Sequence, residues 1–306
     1  METLDRCRQQ VFRHLWQHYY QLVPFAPKIE KGLQERGDLW AQDHVAFRTL
    51  PGQYCGASIL QGLFEILGYQ RQDDYHFEEK RLNAFWMAPP DTKGEIQNAS
   101  AKIFISELIP DQFSPAFRET LQRYTNQVLA SPLEIAKELA EKVKQGDNDA
   151  ADKLVALISR FLTSAPPWPR PSFTDFSCLQ NESEYASWTL LYGNQINHFT
   201  VSVHLMKSFA SIADLGKYIE QELKIPMNHS GGLVKGNSEL RLEQIATMAV
   251  KVPFLFQDQI VEQSYGFVEF ALRYPLEGRA ADDQWQSYYQ GFVTSNADKI
   301  FESTFR

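Results

Sequence analysis

The sequence predicts an α+β protein: two β-α-β-β-β-type modules forming a curved sheet around a metal cavity, preceded by a helical region and interrupted by a helical insertion. Two observations carry the fold. A strand–helix–strands succession opens at Asp43 and returns near Gly193, and a repeated pattern of elements marks a doubled architecture. Between the copies lies charged, helical sequence closed by the proline-rich APPWPRP at 165–171, which no helix can run through. The metal comes from a third observation, on side chains: three strands set an apolar face against a face of ionisable groups.

Residues 1–42 form the N-terminal helical region, where Leu4, Val11, Leu15, Tyr19 and Leu22 recur near helical spacing. His14 and His18 stand four apart on one helix face, a spacing metal sites use. No Glu follows His14, and Trp16 and two tyrosines surround the pair, so a packed or partly exposed face is the reading. Residues 43–110 form the first sheet module. DHVAFRTL reads as a strand, GASILQGLFEILGY as a helix closed by Gly68, and DYHF, RLNAFWMAP and AKIFISELI as strands. The insertion, 111–171, is helical, with Ser131-Pro132-Leu133-Glu134 as a capping box. The second module with its C-terminal tail spans 172–306. GNQINHFTVSVHL reads as a strand and Ser211 caps a helix to about Leu223. RLEQIATMAVKVPFLF and YGFVEFALRYP supply further strands. The whole reads as one compact catalytic unit.

Composition excludes several classes of function. The 306 residues include 43% hydrophobic ones, enough for a sizeable core, and 30 Lys+Arg against 38 Asp+Glu give a net charge of −8. With a pI near 5.5 there is no basic face for nucleic acid or an anionic membrane. Cys7, Cys55 and Cys178 are odd in number and far apart, which makes neither a disulfide framework nor a CxxC metal site. The first ten residues lack a signal-peptide core, and no window approaches the apolar length of a membrane helix. A cytoplasmic protein is expected.

Side chains two apart on a strand share a face. HVAFRT places His44, Ala46 and Arg48 together; NHFTVSVH places His198, Thr200, Ser202 and His204 together; FVEFALR places Phe267, Glu269, Ala271 and Arg273 together. The small spacers leave room for something bound. Two histidines and one carboxylate from three strands suit non-haem Fe(II) and leave positions open for a bidentate substrate and dioxygen. Arg48 offers a planar fork for a carboxylate. His204 lies six residues beyond His198, too far along a straight strand to share its metal, and is the weaker ligand candidate. His76 and His229 show no partner. Glu107 stands where the first module might mirror Glu269, but its register differs.

These residues carry a family resemblance. DHVAFRT (43–49), Asn197-His198, FVEFALR (267–273) and NADKIFEST (296–304) resemble the 2-oxoadipate dioxygenase/decarboxylase family, or hydroxyglutarate synthases, in its shorter branch. The resemblance spans most of the chain outside the insertion. It implies a fold similar to the vicinal-oxygen-chelate group, Fe(II) as cofactor, and conversion of 2-oxoadipate and O₂ to (R)-2-hydroxyglutarate and CO₂. Carried over, His44, His198 and Glu269 would ligate iron, Arg48 would be the catalytic clamp on the substrate carboxylate, and Ser295 and Asn296 would be further substrate contacts. Two readings compete. One is a glyoxalase-like isomerase or hydrolase using Zn²⁺, Ni²⁺ or Mn²⁺ as Lewis acid, with Glu107 or His204 as a fourth ligand. The other is a non-catalytic binder in which Arg48 and Arg273 hold a small anion.

Overall fold

Cys7, Val11, Leu15 and Tyr19 line one stripe of helix α1 (Glu2–Leu22) and are fully buried, as are Ala26, Ile29 and Leu33 of α2 (Phe25–Glu35). In this computed structural model, which describes residues 2–92, 99–278 and 284–304, that stripe packs against one face of a curled sheet. Trp16 stacks on Phe199 with ring centroids 3.4 Å apart.

The first module runs β1 (Gln42–Thr49), α3 (Ala57–Ile66), β2 (Gln70–Phe77), β3 (Leu82–Ala88) and β4 (Lys102–Leu108). Gly68 ends the α3 region at φ +92°, the left-handed conformation that favours glycine. The second module runs β5 (Ile196–Ser202), α9 (Ile212–Lys217), β6 (Lys235–Asn237), β7 (Leu242–Ala246) and, after an interruption, β10 (Phe267–Arg273). That interruption is a separate two-stranded ribbon of β8 (Lys251–Leu255) and β9 (Ile260–Ser264). RLEQIATMAVKVPFLF is therefore two strands in two sheets.

The eight main strands lie in the order β2-β3-β4-β1-β5-β10-β7-β6. Each half starts with a parallel pair, β1 with β4 and β5 with β10, and continues outward antiparallel. The halves meet at one antiparallel seam, β1 against β5. Val45, Phe47, Phe199, Val268 and Phe270 point to the helix-covered face and are fully buried, with Phe64 of α3 tilted against Phe47. The opposite face carries the ionisable groups. It is buried as well, under α10 (Gln284–Ser287), α11 (Thr294–Ile300) and the turn Phe301–Thr304.

The helices between the modules extend further than the proline cluster suggested. After α4 (Pro115–Thr125), α5 (Leu133–Lys144) and α6 (Asn148–Thr163) come α7 (Phe173–Gln180) and α8 (Glu184–Tyr192), so the second module begins at β5. Ser131 forms no capping box. The helix starts one residue later than expected, with Pro132 in the cap position, and Ser131 Oγ accepts only from the Leu133 N–H at 3.4 Å. The strand expected through Leu205 stops at Ser202, where residues 203–205 tighten into a 3₁₀ turn. No helix among the described residues is long and apolar enough to cross a membrane.

Candidate metal centre

The seam places His44 and His198 on adjacent strands, with Ala46 opposite His198, and β10 sets Glu269 opposite Thr200. His44 Nε2 lies 3.6 Å from Glu269 Oε1, and His198 Nε2 lies 3.4 Å from Glu269 Oε2. One ligand atom from each of the three residues falls within 4.8 Å of the others, and all three residues are buried.

Each histidine is steered by the residue before it. His44 Nδ1 is 2.8 Å from Asp43 Oδ1, and His198 Nδ1 is 3.0 Å from Asn197 Oδ1. An Nδ1–H donated to these oxygens leaves both Nε2 lone pairs on the Glu269 side, as metal-binding imidazoles require, and in this tautomer His44 Nε2 accepts from the Thr200 hydroxyl at 3.1 Å. The repeated Asp–His and Asn–His dipeptides were a visible signal of this device. Asp43 stands where the pairing of β1 with β5 shifts register between Gln42 and His44, and the period of two along a strand does not show such a shift in advance.

Glu269 is oriented from the other side. Gln244 Nε2 donates to Glu269 Oε1 at 2.6 Å, and Asn296 Nδ2 donates to Gln244 Oε1 at 3.2 Å. Asn296 thus reaches the carboxylate only through Gln244. Ser295, its neighbour on α11, is exposed. Consecutive helical residues point about 100° apart, so burying one turns the other outward. Ser295, expected as a substrate contact, does not line the cavity around His44, His198 and Glu269.

Burial governs the protonation states. It pushes His44 down to about 4 and His198 well below its usual range, and it raises Glu269 to about 8. The His–Glu contacts are then not ion pairs: two neutral imidazoles face a carboxyl that keeps its proton. A divalent cation reverses that preference, because it needs the ionised carboxylate and both free Nε2 lone pairs. The donor set therefore fits a metal ion.

Arg273 is not a free clamp. Its Nε and Nη2 grip Asp43 at 2.6 and 2.8 Å, and its Nη1 donates to the carbonyls of Tyr289 and Gly291 at 3.0 and 2.8 Å. Alternation correctly put it on the Glu269 face but could not show that Asp43 consumes its fork. Burial alone would raise Asp43. Arg273, Lys102 and the hydrogen bonds from Arg273 and His44 instead hold it well below the carboxylate range. Asp43→Asn is expected to lose the paired grip of Arg273 and weaken metal binding ~10- to 100-fold, measured by competition with a chelator. Unchanged affinity would show that His44 needs no such support.

His204 sits in the 3₁₀ turn with its ring 4.6 Å from Tyr288, outside the three-residue group. His204→Ala should therefore keep its metal and lose at most part of its turnover. Loss of bound metal from that change alone would contradict the placement. His14 and His18 contact Ser159 and Gln195 at 3.0 and 3.4 Å, and His76 and His229 are exposed.

Register also answers the question of a fourth ligand. Taking His44 and His198 as equivalent, the β4 residue matching Glu269 is Phe104: it lies two beyond the partner of His44, as Glu269 lies two beyond the partner of His198. Glu107 faces away and accepts the Ala57 N–H at the start of α3, 2.7 Å distant.

Arg48 lines the same small cavity as His44, His198, Glu269 and Phe104, together with Phe292, Ile300 and Phe301 of the C-terminal segment. The cavity measures about 30 Å³, room for a water or a bare ion. Nη1 of Arg48 donates to both carboxylate oxygens of Glu184 at 3.0 and 3.2 Å, and Nη2 donates to Thr304 Oγ1 at 3.1 Å. Glu184 escaped the sequence reading because it opens a helix after the Ser183 cap, where an acid is ordinary.

Residues 10–288 match the 2-oxoadipate dioxygenase/decarboxylase family. The chain is 32% identical over 278 residues to the 2-oxoadipate dioxygenase/decarboxylase, chloroplastic/amyloplastic, of Oryza sativa subsp. japonica, covering 88% of this chain and 70% of that one. Among solved structures, hydroxyglutarate synthase from Oryza sativa in complex with 2-oxoadipate superposes with a TM-score of 0.82 at 30% identity, covering 99% of this chain and 94% of that one. A putative glyoxalase superfamily protein from Ralstonia eutropha JMP134 shares the fold, with a TM-score of 0.75 at 24% identity over 94% and 85% of the two chains. The matched span contains both modules, the seam and the His–His–Glu group, and on this evidence the chain belongs to the 2-oxoadipate dioxygenase/decarboxylase family.

Proposed function

We propose that the chain catalyses the reaction its family is named for, 2-oxoadipate and O₂ giving 2-hydroxyglutarate and CO₂, with Fe(II) held by His44, His198 and Glu269. The observation that carries this over a glyoxalase-like Lewis-acid reaction is Phe104. It fills the place of a fourth ligand with an apolar ring, so the described residues supply three donors and leave the remaining positions to small molecules. Iron, when bound, supplies the one-electron chemistry that dioxygen requires.

The remaining work falls to the chain's own side chains. Asp43 and Asn197 hold the imidazole tautomers, and Gln244 fixes the carboxylate. Arg48 receives the distal carboxylate of the acid, whose charge would be costly to bury unpaired. The rings of Phe104, Phe292 and Phe301 exclude water from the reacting end. A six-carbon diacid exceeds the present cavity, so binding it requires the side chains that line the cavity to move apart. Three free cysteines, two of them buried, suit a reducing compartment such as the cytoplasm.

The test is anaerobic reconstitution with Fe(II), followed by oxygen uptake with a panel of 2-oxo acids. Stoichiometric O₂ consumption and CO₂ release with 2-oxoadipate are expected. Metal binding without oxygen consumption on any 2-oxo acid would return the case to the Lewis-acid reading.

A further inference from the structure

Arg48 is only 1% exposed, and its guanidinium sits between the rings of Tyr185, Trp188 and Phe301, with centroids 5.1 to 5.3 Å away. Two of its three nitrogens are already engaged, Nη1 by Glu184 and Nη2 by Thr304. Its Nε is buried without a hydrogen-bond partner. A buried donor left unpaired is costly, and in a residue that lines the ligand cavity it marks where an acceptor arrives. A carboxylate arriving there meets a guanidinium whose charge is already balanced by an internal carboxylate.

We propose that Glu184 is a specificity-tuning counter-ion. It keeps its hold on Nη1 while the distal carboxylate of the substrate takes the Nε edge, and it thereby caps the affinity of the site for dicarboxylates. This rests on Arg48 being the carboxylate clamp proposed above. Two carboxylates on one guanidinium repel each other, and Glu184 is only partly screened, its side chain being 12% exposed. The same repulsion acts on the dicarboxylate product, so Glu184 favours its departure as well as limiting substrate binding. It does not touch an acid that lacks the distal group.

The discriminating variant is Glu184→Gln, which keeps the shape and an acceptor oxygen but removes the charge. Binding is measured by calorimetry on the Fe(II)-loaded protein without oxygen, using 2-oxoadipate and 2-oxohexanoate. The expected result is unusual for a buried substitution: 2-oxoadipate binds ~10-fold more tightly, while 2-oxohexanoate stays within about twofold, the rest of its site being unaltered. Glu184→Met, neutral and of similar length, should show the same direction, and thermal unfolding of both variants establishes that they fold. Unchanged or weaker 2-oxoadipate binding would overturn the role of Glu184, as would equal changes for both acids. A wild type that does not prefer 2-oxoadipate over 2-oxohexanoate would remove Arg48 as the clamp, and this inference with it. Normal wild-type preference with an indifferent variant removes Glu184 alone.

Discussion

Glu269→Gln is expected to abolish metal-dependent turnover and to lower metal affinity by a factor on the order of a thousand or more, since a neutral amide replaces the only anionic donor among two imidazoles. The folded chain should not suffer. Glu269 is 1% exposed and burial has already raised its carboxyl to about 8, so the group is a burden on the metal-free protein. The amide oxygen can still accept from Gln244. Metal-free Glu269→Gln should therefore unfold at or above the wild-type temperature, while the rise in Tm that wild type shows on adding Fe(II) disappears. Metal analysis and paired unfolding curves measure both effects. A variant that retained stoichiometric metal and turnover would remove Glu269 from the site.

Arg48→Met is expected to lower kcat/KM for 2-oxoadipate by ~1,000-fold or more, equivalent to about 4 kcal/mol. Preference should move toward 2-oxo acids without a distal carboxylate. Arg48→Lys keeps the charge but not the fork, and should lose ~10- to 1,000-fold with its metal content intact. The Met variant also strands Glu184 beside an apolar wall, which predicts a stability loss of about 3 kcal/mol, reduced to the extent that Glu184 reaches solvent. Arg48→Met combined with Glu184→Gln should recover the stability without the activity, separating the two roles of Arg48. An unchanged dicarboxylate preference in Arg48→Met would show that the acid is gripped elsewhere.

How much of this was legible in the sequence depends on the range of the interaction. The period of two along a strand is local, so it placed His44 with Arg48 and Glu269 with Arg273 correctly, and the recurrence of strand, helix and strands anticipated the doubled sheet. Whatever depended on where a strand stops or bends was hidden. Nothing in Val203-His204-Leu205 announces a turn, since no glycine or proline interrupts it. The irregular pairing at Asp43 likewise turns a residue of expected opposite facing into the anchor of both His44 and Arg273. Glu184 lies in a stretch assigned to the second sheet module and given no role, and only the packing of α8 beside β1 brings it to Arg48.

The seam between β1 and β5 has a thermodynamic meaning of its own. His44 and His198 belong to different halves of the chain, separated by the five helices α4 to α8, and within the sheet those halves meet edge to edge through one strand pair. An ion gripped by both histidines and by Glu269 acts as a rivet through that joint. Whatever free energy the ion gains on binding is added to the cohesion of the two halves, as RT ln(1 + [M]/Kd), or about 4 kcal/mol at a thousandfold excess over Kd. Stripped of metal, the protein should lose that added cohesion, read as a fall in Tm when a chelator is added to the loaded protein.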